Sequence, residues 1–365
     1  MKLGLVIYGS LDTLSGGYLY DRKLVEYLRS QGDTVEIISL PWRNYAAHLM
    51  DNFWFRLWSP EARFWNFRQQ AAGLQKYDIL IQDELNHPSL ILANRGRHPY
   101  PVISLVHHLR CSEQRLQWQN TFYRLIEKKY LRSVDGFIFN STTTERVVNS
   151  LLESRKPGLV AYPPTDRFGK AISEEEIISR AQTGPLRILF LGNVIRRKGL
   201  HTLLEAVSFR QSAFRVDVVG SLTSEPAYAK RIQEFITHNS LSSFIFLHGS
   251  LDKEPLLEKL KQAHVLAVPS SYEGFGIVYL EGMCFGLPSI GTTSGAAGEV
   301  IEHGQTGYLI PPDDAKSLAA HLTSLAEDRG LLTRLSVNAR KRYLRQPSWE
   351  ETAKSIRGFL YSVAK

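Results

Sequence analysis

The sequence predicts an α/β molecule made of two doubly wound parallel-sheet domains. Three observations lead there. Short apolar runs of strand length alternate with helix-period stretches along the chain. That alternation breaks once, at a proline-containing and acidic stretch, and then restarts. The 365 residues also suit two domains at roughly 150 residues each. Parallel strands need helical crossovers, so a strand–helix alternation of this kind points to parallel sheets.

The elements follow in order. Lys2-Leu3-Gly4-Leu5-Val6-Ile7-Tyr8 reads as an opening strand. After a loop over 9–17, Tyr20, Leu24, Tyr27 and Leu28 fall on one helical face, and Gly32 supplies the left-handed stop. Thr34-Val35-Glu36-Ile37-Ile38-Ser39-Leu40 alternates as the next strand. Ile79-Leu80-Ile81, Val102-Ile103-Ser104-Leu105-Val106 and Gly136-Phe137-Ile138-Phe139 fit buried strands. The interruption comes at Tyr162-Pro163-Pro164-Thr165 and Ser173-Glu174-Glu175-Glu176, and ends at Gly184-Pro185. Strands then resume at 187–192, 215–219, 244–247 and 264–268. The expected organisation is a domain over 1–165 completed by a C-terminal helix over 348–365, a linker over 166–184, and a second domain over 185–347.

Composition narrows the partners. Hydrophobic residues at 43% and charged residues at 22% exclude disorder. No apolar run reaches the ~20 residues of a spanning helix, and the N-terminal run is too short for a signal peptide. Cys111 and Cys284 have no pair spacing, so neither a disulfide framework nor a zinc site is expected and a reducing cytosol is the default. The net charge of +8 permits nucleic acid, a membrane surface or phosphorylated small molecules. Between 41 and 132 stand 13 Lys/Arg against 7 Asp/Glu, with five of the six tryptophans in the same stretch. Cations mixed with interfacial aromatics favour acidic lipid over a duplex, and no RNA- or DNA-reading signature occurs. Segment 44–76 stands out, with Ser59-Pro60-Glu61 as a helix start and Leu49, Met50, Phe53, Trp54, Leu57, Trp58, Phe64, Trp65 and Phe67 interspersed with arginines. It reads either as core-packing helices or as a face that docks on an anionic bilayer. The latter adds a peripheral position on the inner membrane face to the cytosolic expectation.

Two stretches carry chemistry. In Pro269-Ser270-Ser271-Tyr272-Glu273-Gly274-Phe275-Gly276-Ile277-Val278-Tyr279-Leu280-Glu281-Gly282 a strand feeds a glycine-containing loop and then a helix, which makes an anion site. Glu273 and Glu281 frame it, and a carboxylate can accept two hydrogen bonds from a diol. In Gly192-Asn193-Val194-Ile195-Arg196-Arg197-Lys198-Gly199 three consecutive cations follow a strand, where they could neutralise a pyrophosphate. Neither motif alone excludes a solvated basic loop or a carboxylate that merely favours a helix dipole.

Together, these motifs resemble the nucleotide-sugar half of glycosyltransferase family 4. Val219-Gly220, His248-Gly249-Ser250, Gly298-Glu299-Val300-Ile301 and Gly307-Tyr308-Leu309-Ile310-Pro311-Pro312 join them in order over 187–350. Gly16-Gly17, His107 and Ser348-Trp349-Glu350 carry a weaker likeness in the remainder. The resemblance implies the GT-B fold, two Rossmann-like domains facing across a cleft, and a retaining, hexosyltransferase-type enzyme. By the same resemblance Glu281 binds ribose hydroxyls, Glu273 holds sugar hydroxyls, and the backbone of Gly274, Phe275, Gly276, Ile277 and Val278 meets sugar and phosphates. Lys198 neutralises the diphosphate, Gly16 and Gly17 admit the first domain to the phosphates, and His107 contacts the donor sugar. Base contacts are implied around Gly249, Ser250 and Leu251. Asn193 stands where the family commonly carries arginine, leaving Arg196 or Arg197 to supply that charge.

No Asp-x-Asp occurs in the chain, so no metal and no cofactor are expected beyond the donor itself, a UDP- or GDP-sugar. The acceptor expected from the 44–76 segment is a glycolipid, a lipid-linked sugar or a surface-polysaccharide precursor. A catalytically silent GT-B binding or scaffold protein, and a related phosphorylase or epimerase, remain as alternatives.

Overall fold

The structure, a computed structural model, describes residues 1–13, 15–54, 77–95, 98–164, 168, 172–182, 184–209 and 213–364. The backbone divides into two compact units, Met1–Pro164 with Pro347–Lys365, and Thr165–Gln346. Most of the 44–76 segment, including Trp58, Trp65 and the Ser59-Pro60-Glu61 start, lies outside the described residues.

The first unit is built on six strands, β1 (Lys2–Tyr8), β2 (Thr34–Leu40), β3 (Ile79–Asp83), β4 (Val102–Val106), β5 (Gly136–Phe139) and β6 (Gly158–Val160). They run parallel in the order β2-β1-β3-β4-β5-β6. Both faces are covered, which is why β3, β4 and β5 are buried at every position. On one face the helix Gly16–Ser30 sets Tyr20, Leu24 and Leu28 against Leu3, Leu5 and Ile7. The helix Trp349–Val363 completes the same cluster with Ala353, Ile356 and Leu360. Ser348 and Glu351 form a capping box at its start, and Arg357 Nε lies 2.6 Å from Asp33 Oδ2. Tyr130, Leu131, Val148 and Leu151 close the other face. Gly32 takes φ +83°, which ends the first helix as its sequence position predicts.

The second unit holds β7 (Leu186–Leu191), β8 (Phe214–Val219), β9 (Ile245–Gly249), β10 (Val265–Ala267), β11 (Ser289–Thr292) and β12 (Gly307–Ile310), all parallel, in the order β12-β11-β10-β7-β8-β9. Counted from its own first strand, this is the dinucleotide-binding order, with the reversal of winding at β7/β10. Ligand chemistry on such a sheet belongs at the strands' carboxyl ends beside that reversal, and the loops after β7 and β10 are the two chemistry-bearing motifs.

The linker expectation needs correction. Within 166–184 the described residues form the helix Glu174–Ala181, capped by a Ser173–Glu176 capping box, with Ile177 fully buried. Arg180 reaches the carbonyls of Phe285 and Gly286 at 2.9 and 3.2 Å. The acidic run that looked like a solvated connector is a helix first turn, where carboxylates suit the dipole.

Candidate active site

The loop after β7 and the loop after β10 meet in one cluster. Lys198 Nζ lies 2.6 Å from Glu273 Oε1, and the Ser270 hydroxyl donates to the same oxygen at 2.6 Å. Arg197 Nη1 donates to Tyr272 O at 2.9 Å and lies 4.0 Å from Glu273 Oε2. A backbone bond from Ser271 N to Arg197 O locks the two loops together, and one from Ala296 N to Glu273 O ties them to the loop after β11, each 2.8 Å. The fit depends on two left-handed glycines. A Cβ at Gly199 (φ +70°) would sit 2.1 Å from Pro269 O, and one at Gly295 (φ +80°) would sit 2.1 Å from Glu273 O.

Electrostatics sharpen the pair. Burial by itself would raise Glu273, but Lys198 and then Arg197 overcome it and hold the carboxyl at about 2. Burial pulls Lys198 below the ordinary ammonium range, and the Glu273 charge opposes that pull. The result is a fixed, ionised pair with a second cation beside it. Immediately after, Gly276 (φ +89°) turns the chain into the helix Ile277–Cys284. The N–H groups of Ile277 and Val278 precede the first bond of that turn, Tyr279 N to Gly276 O at 3.0 Å. Phe275 is buried ahead of them, and Glu281 is buried one turn further on, 7% exposed.

Asn193 is exposed in the same loop as Lys198, and its Oδ1 accepts from Ser221 N at 3.3 Å. Of the two arginines, Arg197 is the one beside Glu273, whereas Arg196 is exposed and its backbone N–H donates to Glu225. Ser250 and Leu251 directly follow the end of β9.

His107 follows β4 in the first unit. Gly17, in the first turn of the helix Gly16–Ser30, is the residue that lets it fit, since a Cβ there would lie 3.2 Å from His107 Cδ2. Three carboxylates that sequence reasoning missed surround the imidazole. Nε2 lies 3.0 Å from Asp21 Oδ1, and the backbone N–H of His107 donates to Glu84 Oε2 at 2.9 Å. Burial lowers His107, but Asp21 and then Asp83 and Glu84 more than offset this, pushing it up to about 9. Burial, then Asp21, raises Asp83 to about 7, and burial, then Asp83, raises Glu84 well above the usual range. The signal available was Asp83-Glu84 at a strand's carboxyl end and Asp21 four residues after Gly17, one turn along the same helix. Asp21, Asp83 and His107 also place ligand-type atoms within 4.8 Å of one another, as a metal site would. A protonated His107 already supplies positive charge there.

Two parallel six-stranded units, with a cation–carboxylate cluster at the winding reversal of the second, define a GT-B protein. The sequence family described as "Glycosyl transferases group 1" matches 172–342, and "Glycosyltransferase Family 4" matches 20–166. An MMP α-(1→4)-mannosyltransferase of Mycolicibacterium hassiacum is 31% identical over 308 residues, 80% of this chain and 73% of the relative. The chain therefore belongs to glycosyltransferase family 4. A glycogen synthase of Mycobacterium tuberculosis is 26% identical over 273 residues, 73% of this chain, and the match spans only 64% of that protein's length. Among solved structures, sucrose-phosphate synthase from Thermosynechococcus elongatus superposes with a TM-score of 0.80 at 21% identity, covering 99% and 98% of the two chains. HepE of Anabaena, solved in complex with UDP-glucose, gives 0.77 at 18% identity over 99% and 100%. At those identities the likeness concerns the fold.

Proposed function

We propose that this protein is a retaining, hexosyltransferase-type glycosyltransferase that moves a sugar from a nucleotide-sugar donor to an acceptor hydroxyl without a metal. The observation that carries the reading is the buried Lys198–Glu273 pair with Arg197 beside it, ahead of the helix Ile277–Cys284. A departing nucleoside diphosphate needs fixed positive charge, and Lys198, Arg197 and the helix N-terminus supply it without reorganisation. Glu273, held ionised, accepts from sugar hydroxyls. Glu281 is assigned to the ribose, the 274–278 backbone to sugar and phosphates, and Ser250 and Leu251 to the base. In a front-face step the C1–O bond to phosphate breaks as the acceptor oxygen bonds C1 on the same face, and the acceptor proton passes to a donor phosphate oxygen. His107, with Gly16 and Gly17 beside it, is assigned as a charged donor to a substrate oxygen.

UDP-glucose in HepE and mannosyl transfer by the M. hassiacum relative support a nucleotide sugar as donor. The acceptor we assign is a glycolipid, lipid-linked or surface-polysaccharide precursor. Thermal stabilisation by UDP, GDP and ADP, each with magnesium and with EDTA, tests the donor reading. At 100-fold over Kd a ligand adds ~2.7 kcal/mol. A selective shift, insensitive to EDTA and removed by Glu281→Ala, is expected. No shift with any nucleotide would turn the reading towards a silent binding protein, and an EDTA-sensitive shift would overturn metal independence.

A further inference from the structure

The helix Gln117–Ser133 in the first unit leaves one face largely exposed. Leu116, Trp118 and Leu125 are each more than half exposed, and Phe122 is 43% exposed. Trp118, Phe122 and Leu125 are spaced i, i+4 and i+7, which makes them one stripe along the helix. Lys129 and Arg132 lie on and beside that stripe, and Lys128 and Arg124 lie further round the same side of the helix. The helix has a single acid, Glu127, and it is turned inward, 1% exposed, accepting from the backbone N–H groups of Arg110 and Cys111. The outer surface of the helix is therefore apolar and cationic, with no carboxylate of its own. Glu153 approaches from elsewhere and pairs with Lys128 and Arg132, whereas Arg124 and Lys129 make no ion pair among the described residues. A cavity of about 470 Å³ adjoins the helix, lined by Ser112, Arg115, Asn120, Thr121 and Arg124. Arg115 is already engaged by Glu113, so Arg124 is the cation left to receive an anion there.

We propose that this helix seats on the surface of an anionic phospholipid bilayer, with the Trp118–Phe122–Leu125 stripe in the acyl boundary and a phosphodiester headgroup at Arg124 in the cavity. Tryptophan and leucine flanked by cations match a surface that is apolar below and negative above. A duplex offers no apolar layer for the stripe. A second copy of this chain would set this cationic helix face against an identical one in a symmetric contact. No helix among the described residues is long and apolar enough to span a bilayer, so the contact is interfacial. The inference rests on the surface of the first unit and not on the donor chemistry.

Co-sedimentation of the full chain with vesicles tests it, comparing pure phosphatidylcholine with an equal mixture of phosphatidylcholine and phosphatidylglycerol. Binding is expected to the anionic vesicles only. Trp118→Ser with Leu125→Ser should lower the partition at least about tenfold. Arg124→Gln with Lys129→Gln should lower it about thirtyfold. Phe209→Ser, exposed in the second unit, should bind as the unsubstituted chain does. Thermal midpoints check folding. If a double variant shifts its midpoint, Lys129→Gln alone carries the test, with an expected loss of about fivefold. Glu281→Ala should bind vesicles normally, which separates this inference from the donor reading. Absent or equal binding to both vesicles, variants that bind like the parent, or a dimer that Trp118→Ser dissociates would each overturn it.

Discussion

Burial of Glu273 by itself favours the neutral acid, and Lys198 and Arg197 reverse that preference. Because the folded value lies below the unfolded one, the stabilisation is present above about pH 4.5 and disappears as pH falls towards 2. It is worth on the order of 3 kcal/mol, so urea unfolding at neutral pH and at pH 3 should show the loss. Lys198→Met leaves a buried carboxylate without its main partner and should cost about 3–5 kcal/mol at neutral pH. His107 works with the opposite sign. Raised to about 9, its charge contributes stability that is complete below about pH 6.5 and lost as pH rises through 9. Asp21 is the positioning partner, so Asp21→Asn should move the His107 titration at least about one unit to the acid side, read by NMR of the imidazole. An unchanged titration would leave Asp21 with a packing role alone.

At the scale of elements, the site is a meeting of loops whose approach only glycine permits. Gly199→Ala adds left-handed strain and places a methyl against Pro269 O. It should lower the stability of the second unit by more than the ~1–2 kcal/mol of the strain alone and weaken nucleotide-induced stabilisation. Gly249→Ala provides the comparison. Its φ is +68°, but nothing lies within 4 Å of the added Cβ, so only the strain term should appear. Equal effects in thermal melts of the two variants would show that the close approach carries little weight. Nine of the twelve strands among the described residues were legible because buried parallel strands are written as short apolar runs, whereas Gly158–Val160, Ser289–Thr292 and Gly307–Ile310 are only three or four residues long and contain glycine, serine or threonine. The helix Glu174–Ala181 was not, because Glu174, Glu175 and Glu176 look the same in a solvated connector as in a helix first turn.

For the whole molecule, the last helix belongs with the first strands. Ala353, Ile356 and Leu360 are at most 1% exposed against the helix Gly16–Ser30, and Trp349 stacks edge-on to Tyr20 at 5.4 Å. Ending the chain at residue 346 should destabilise the first unit by roughly 5 kcal/mol or more, at about 1.5–3 kcal/mol for each large apolar side chain uncovered. Limited proteolysis would show the first unit cleaved early and the second protected. The sequence by itself determined the two parallel-sheet units, nine of the twelve strands among the described residues and the family motifs, because backbone period and glycine position are local properties. It also marked Glu273, Lys198 and His107 as residues of interest. Only the tertiary structure decided that Arg197 and not Arg196 faces Glu273, that Asp21, Asp83 and Glu84 surround His107, and that the exposed aromatic face includes Trp118. Each of these depends on which side chains lose water together, and that is set by packing between residues far apart in the chain.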